Sequence, residues 1–243
     1  MAGRADVVFC LDVSGSMSPT IRGVCEHLRS FVSGLSNGGQ TKWDVRLGLL
    51  THRAEENLFD FAGLEGQSVV PELYGQRSPG GLFTPDPEVF CQALRATTAT
   101  GDEATLIALD SALDFPWRAA DKCRRIVILM TDEAIETGVH VRDQVAQLPS
   151  LIQKIQALRV SLFIVAPPSE ILTKLSTVDR SEYIEVDSVG NGLSSVDFSE
   201  VLTSIGKSVS VSQSEGIAAS SIRRALYGQD KWRTTDQSVR AGG

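Results

Sequence analysis

No apolar run in this chain approaches the roughly 18 residues that a bilayer-spanning helix needs, so no membrane segment is expected. The opening Met1-Ala2-Gly3-Arg4-Ala5-Asp6 leads into the first apolar stretch without an apolar signal region, which gives the expectation of a cytoplasmic protein. Basic residues are in the minority: 23 Lys and Arg against 30 Asp and Glu leave a net charge of −7, and a field of that sign offers nothing to a nucleic-acid partner. The four cysteines, Cys10, Cys25, Cys91 and Cys123, lack metal-site spacing and read as reduced core residues rather than as a disulfide framework. Of the three histidines, His27 and His140 show no partner spacing, while His52 ends a strand and reads as a hydrogen-bonded structural residue. Enzyme signatures are missing too. There is no Gly-x-x-x-x-Gly-Lys-Ser/Thr phosphate loop, no Gly-x-Ser-x-Gly elbow and no recognisable Ser/His/Asp grouping.

What the chain does have is the composition of one medium α/β domain plus a tail: 243 residues, 42% hydrophobic and 22% charged. Strand and helix signals alternate along it, the pattern of a mainly parallel sheet with helices on both faces. Val7–Leu11, Ile126–Met130 and, after its first residue, Ser161–Ala166 are apolar without alternation, as strands covered on both sides must be. Trp43–Leu50 is a further strand, and Asn57–Phe61 and Ser181–Val186 read as edge strands. Between them, Ile21, Val24, Cys25, Leu28, Phe31, Val32 and Leu35 recur at helical spacing. Val141–Leu158 is also helical, with Pro149 predicting a break, and a last helix at about 194–211 has Ser194 and Asp197 spaced as a capping box. Ser18-Pro19 and Asp86-Pro87 each read as an N-cap followed by a proline at the first helical position.

The chemistry concentrates where two of these strands end. Val7-Val8-Phe9-Cys10-Leu11 runs into Asp12-Val13-Ser14-Gly15-Ser16, and Ile126–Met130 runs into Thr131-Asp132. In open α/β sheets the crevice outside the carboxyl ends of the strands is where ligands bind. A carboxylate and two hydroxyls in the first loop suit Mg²⁺ or Mn²⁺, which take hard oxygen ligands; without thiol or imidazole there, the loop does not suit zinc. A third segment, Gly101-Asp102-Glu103-Ala104-Thr105-Leu106-Ile107-Ala108-Leu109, sets a threonine at a helix start.

The three motifs together, Asp-x-Ser-x-Ser, a Thr before x-x-Ala-Leu, and Thr-Asp, resemble the metal-ion-dependent adhesion site of the von Willebrand factor A (vWA) family. The resemblance covers about residues 5–210. It implies an α/β fold, doubly wound, with a mainly parallel central sheet, one antiparallel edge strand and helices on both faces. It also implies a vWA domain at 1–211; the polar, basic residues 212–243 that follow read from their composition as a separate tail, disordered or partner-binding. Ser14, Ser16 and Thr105 would contact a Mg²⁺ or Mn²⁺ ion through their hydroxyls, and Asp12 and Asp132 directly or through water, leaving a position for an Asp or Glu of another protein. The implied function is non-enzymatic: an interaction module rather than a catalyst. Among family members the chain looks most like bacterial cytosolic stand-alone vWA proteins of the tellurite-resistance type. Such proteins are associated with stress-response or phage-defence systems, where a kinase, a phosphatase or an AAA+ ATPase is the expected class of partner. The alternatives are a scaffold whose tail makes the main contact and, behind it, a metal-dependent phosphatase. The usual haloacid-dehalogenase-like pattern needs a second aspartate where Ser14 stands.

Asp102, Glu103 and Glu133 add carboxyl groups close to these ligands, which would tighten cation binding and oppose an incoming carboxylate unless the partner also brings Lys or Arg; Asp102 and Glu103 read rather as solvated loop charges pointing away from the ion, and for Glu133 both readings stand. In the tail, five basic residues (Arg223, Arg224, Lys231, Arg233, Arg240) against three acidic ones (Glu215, Asp230, Asp236) leave +2, so the rest of the chain carries −9. Trp232, an aromatic in polar surroundings, is a candidate docking residue. Trp43 and Phe83 read as packing residues.

Overall fold

The computed structural model describes residues 3–37, 43–55, 58–64, 82–97, 104–137, 141–186, 193 and 196–215. The strands are β1 (Arg4–Asp12), β2 (Asp44–Glu55), β3 (Leu58–Gly63), β4 (Phe83–Thr84), β5 (Arg124–Met130), β6 (Val160–Ala166) and β7 (Ser181–Glu185). The helices are α1 (Ser18–Asn37), α2 (Pro87–Arg95), α3 (Thr105–Leu113), α4 (Val141–Leu158), α5 (Glu170–Ser176) and α6 (Phe198–Glu215).

The strand order is β3-β2-β1-β5-β6-β7, with β2, β1, β5, β6 and β7 parallel and β3 antiparallel at one edge. The two-residue β4 adds a second antiparallel pairing, against the start of β2. The sequence-based expectation of a mainly parallel, doubly wound sheet with an antiparallel edge strand is therefore met, with β4 as the addition. Alternate residues of β1 explain the layering, because successive strand side chains point to opposite faces. Val7, Phe9 and Leu11 pack with α1, α2 and α6, while Val8 and Cys10 pack with α3, α4 and α5. On the first face Phe9 meets Phe31 and Phe90 at ring-centroid distances of 5.9 and 5.1 Å. Helix α6 lies close on α1: a Cβ at Gly23 would come within 2.3 Å of the Phe198 ring, so only glycine leaves room for that aromatic. No helix among the described residues is long and apolar enough to cross a membrane.

Several local expectations are corrected. Helix α4 runs unbroken through Pro149. Pro149 faces water, as does Val145 one turn earlier, so the carbonyl that loses its N–H partner is on the solvated side. Ser18 is not an N-cap: Gly15–Met17 form a 3₁₀ turn and Ser18 is already in helical conformation, with Ser14 in the cap position. Helix α6 begins at Phe198, and Asp197 itself is the cap, accepting from the Glu200 N–H at 3.0 Å; Ser194 lies outside the described residues. The same helix runs to Glu215, past the expected boundary at 211, and 216–243, with Trp232, lies outside the described residues. Asp86 does cap α2, accepting from the Glu88 N–H at 2.8 Å with Pro87 as the first helical residue. Trp43 is buried in the core, and Phe83 stacks edge-on against Phe115 and Trp117.

The amino end of the sheet is closed by charge. Asp6 is fully buried, yet its carboxylate accepts from Arg46 Nε (2.9 Å) and Nη2 (2.7 Å) and from the backbone N–H and Nε of Arg118 (both 2.8 Å). Burial alone would push its pKa up; the Arg46 guanidinium, the Arg118 N–H and the two cationic charges outweigh burial and hold it below the ordinary 3.8. Arg118 also bonds the carbonyls of Ala5 and Asp44, each at 2.9 Å. The segment after α3 is thus pinned to the starts of β1 and β2.

Candidate metal centre

Strands β1 and β5 are neighbours, and β1 is where the direction of winding changes: the chain goes to β2 on one side and later returns to β5 on the other. The parallel register runs to Leu11 opposite Met130, so Asp12 and the Thr131-Asp132 pair emerge together at the carboxyl edge, at the topological switch point. Both aspartates are completely buried.

Asp12 is held by its neighbours. Its Oδ1 accepts from the Ser14 N–H at 2.7 Å and its Oδ2 from the Thr131 hydroxyl at 3.0 Å. Thr131 in turn accepts from the Glu133 N–H at 3.3 Å, which ties the Asp132 loop to β1 through one hydroxyl. Burial pushes the Asp12 carboxyl up to about 7; the Ser14 N–H and the Thr131 hydroxyl pull it down without cancelling burial, and the nearby charge of Asp132 pushes it further up. Ser14, although in the cap position of the 3₁₀ turn, makes no capping bond with its side chain; its Oγ lies 3.3 Å from that of Ser16. Ser14 is nearly buried and Ser16 half-buried.

Thr105 arrives from elsewhere. It is the first residue of α3 and is 1% exposed. The far end of α3 leads to Trp117 and Arg118, and Arg118 is fixed at Ala5 and Asp6, so the helix runs from the carboxyl edge of the sheet toward its amino edge. Its first residue therefore stands at the edge where Asp12 and Asp132 emerge. Gln144 of α4 joins the group: its Oε1 accepts from the Leu106 N–H at 2.9 Å. Beyond Asp132, a 3₁₀ turn (Ile135–Thr137) places Glu136 to accept from the Ile171 N–H at 2.9 Å, which anchors this loop to the start of α5.

The structure thus brings Asp12, Ser14, Ser16 and Asp132 together and sets Thr105 on the same edge; Asp102, Glu103 and His140 lie outside the described residues. Among the described residues no three His, Cys, Asp or Glu assemble as a metal group. The candidate is instead a site of two carboxylates and hydroxyls, all hard oxygens, with one carboxyl destabilised as an anion by burial and by the other. That donor set fits Mg²⁺ or Mn²⁺. The sequence marked Thr131 as part of the Thr-Asp motif without giving it a role, and nothing local marked Gln144.

His52 departs from its expected role. It pairs in register with Asp12, and Leu50, two residues back, places it on the α3 side of the sheet. Its ring is fully buried, and neither nitrogen has a hydrogen-bond partner among the described residues. Burial pushes its pKa down to about 3, so the imidazole stays neutral. A His52→Phe substitution keeps a flat ring and removes the polar atoms, and should stabilise the protein by about 1–2 kcal/mol at pH 8 in urea unfolding. The folded pKa lies below the ordinary 6.5, so wild-type stability is lost as pH falls from 6.5 toward 3 and the advantage of the variant should widen over that interval. A variant less stable than wild type at pH 8 would show that the imidazole makes a bond worth more than its burial costs.

No protein family's sequence profile matches the chain, and no curated protein matches it. Among solved structures, the chain is similar to proximal thread matrix protein 1 from the mussel byssus, with a TM-score of 0.51 and 12% identity over 85% of this chain and 49% of that one. The chain spans about half the length of that protein. At this identity the likeness concerns the fold alone.

Proposed function

We propose that this protein is a non-enzymatic interaction module of the vWA type, which binds an acidic residue of a partner protein through a Mg²⁺ or Mn²⁺ ion at a metal-ion-dependent adhesion site. Asp12, Ser14, Ser16, Thr105 and Asp132 would hold the ion. The observation that carries the reading is the pair of fully buried aspartates at the switch point, one of them pushed up to about 7. A buried carboxyl whose ionisation is opposed by burial and by a second buried carboxylate is costly in a purely structural role, and a divalent cation removes the cost.

When bound, the ion would supply a Lewis-acidic point between two protein carboxylates, neutralised by them but still able to take a further oxygen ligand. The chain's own residues do the rest. The Ser14 N–H and the Thr131 hydroxyl orient the Asp12 carboxyl. The uncapped Ser14 hydroxyl is available as a neutral ligand beside Ser16. Neutral hydroxyls add no negative charge beyond that of the two aspartates, so the ion stays electrophilic enough to take an incoming Asp or Glu. Glu133, half-buried beside Asp132, opposes that carboxylate, so the partner surface should bring Lys or Arg alongside its acid. A kinase, phosphatase or AAA+ ATPase of a bacterial stress-response or phage-defence system is the partner class that this reading implies.

Titration calorimetry with Mg²⁺ should find one site in the wild type and none in an Asp12→Ala/Asp132→Ala double variant. Capture of the partner by the immobilised protein should require Mg²⁺ or Mn²⁺ and be reversed by chelator. Equal metal affinity in both proteins would exclude the assignment.

A further inference from the structure

Helix α4 buries one stripe: Gln144, Leu148, Leu151 and Ile155, spaced four, three and four residues apart. Three of these are aliphatic, as a core-facing stripe requires, and the fourth is an amide that is 1% exposed. A polar side chain in that slot loses its water and contributes less to the core than leucine would. Its carbonyl oxygen has a specific occupation, accepting from the Leu106 N–H at 2.9 Å. Leu106 is the second residue of α3, and its N–H belongs to the first turn, which has no intrahelical acceptor. The residue in the cap position, Ala104, has no side chain able to supply one. Gln144 therefore caps α3 from another helix, 38 residues along the chain.

Farther along α3, Lys154 of α4 donates to the Asp110 carbonyl at 3.1 Å and to its carboxylate at 2.8 Å, which ties the middle of the helix rather than its first turn. The buried residues of α3, Leu106, Ala108, Leu109, Ala112 and Leu113 beside Thr105, make contacts that are mostly apolar and non-directional. A directional bond at the first turn distinguishes one rotation and height from its neighbours. The residue whose hydroxyl that bond places is Thr105, adjacent to Leu106. We propose that Gln144 is a positioning residue of the metal site: it sets the height and rotation of the first turn of α3 so that Thr105 can serve as a ligand. This rests on the metal reading above and deepens it, naming a part of the site that touches no ion.

The test uses the full chain and Mn²⁺ alone as probe, with affinity read by electron paramagnetic resonance and stability by thermal melting. Gln144→Met keeps the length of the side chain and removes the acceptor, and should weaken Mn²⁺ binding about tenfold. Gln144→Glu keeps the acceptor and should bind at least as tightly as wild type. In a Thr105→Ala background, Gln144→Met should cause no further loss, because the residue it positions is gone. That non-additivity separates positioning from a general loss of stability, which would persist in both backgrounds. Should Gln144→Met fail to fold, Gln144→Leu and the Glu variant carry the comparison. Wild-type affinity in the Met or Leu variant, or an equal loss in the Thr105→Ala background, overturns the proposal while leaving the metal reading intact. Absence of Mn²⁺ binding by the wild type overturns both.

Discussion

Asp12→Asn should raise the melting temperature of the metal-free protein at pH 8 and abolish any further rise on adding Mg²⁺. The asparagine fills the same space, can accept from the Ser14 N–H through its Oδ1 and can donate to the Thr131 hydroxyl, so both local contacts of Asp12 are kept, the second with its direction reversed. What it removes is a buried charge. The folded pKa of Asp12 is raised to about 7, above the ordinary 3.8, so its contribution to stability is fully present below 3.8 and is lost as pH rises through about 7. At pH 8 the wild type carries that loss and the variant does not, a difference on the order of 2–4 kcal/mol at about 1.36 kcal/mol per pH unit. For a domain of this size the melting temperature should rise by roughly 4–16 °C. Mg²⁺ at a hundred times its dissociation constant should stabilise the wild type by about 2.7 kcal/mol and the variant by nothing. Scanning calorimetry at pH 5 and pH 8, with Mg²⁺ and with chelator, decides it. A variant less stable than the metal-free wild type at pH 8, or one that still responds to Mg²⁺, would contradict a cation site at Asp12.

The opposite sign is expected at the other end of the same strand. Asp6→Ala should destabilise the protein by about 3–5 kcal/mol, because it leaves Arg46 and Arg118, both mostly buried, without the carboxylate that accepts four of their hydrogen bonds. The folded pKa of Asp6 is depressed, so the stabilisation is present above the ordinary 3.8 and is lost as pH falls below it. Urea unfolding should therefore show a large gap between wild type and Asp6→Ala at pH 7 that narrows below pH 3.8. A gap under about 1 kcal/mol at pH 7 would place these arginines with ordinary surface pairs.

The layout of the sheet was legible because its strands announce themselves. Ile126–Met130 and Val7–Leu11 are apolar without alternation, which only a doubly covered strand tolerates, and each ends abruptly at an oxygen-bearing residue. Asp12, Ser14, Ser16 and Asp132 could be picked out for the same reason, since strand ends are where this architecture exposes ligands. What stayed hidden depends on distant partners. Thr131 reaches Asp12 across 119 residues, Arg118 reaches Asp6 across 112 and Gln144 reaches Leu106 across 38. No periodicity within one segment encodes such a pairing. Pro149 misled for a related reason: its penalty depends on whether the orphaned carbonyl faces water, which only the packing of α4 decides.

Strand β1, paired along its length with β2 and β5, is anchored unequally at its two ends. Its amino end is clamped by two guanidinium groups around Asp6, and its carboxyl end projects Asp12 into a crevice where charge is under-compensated. Six residues, about 20 Å, separate the clamp from Asp12. Loosening the clamp through Arg46 or Arg118 should soften the carboxyl end without touching any residue near it. Variants at that clamp offer a way to tune the site's compliance separately from its ligands.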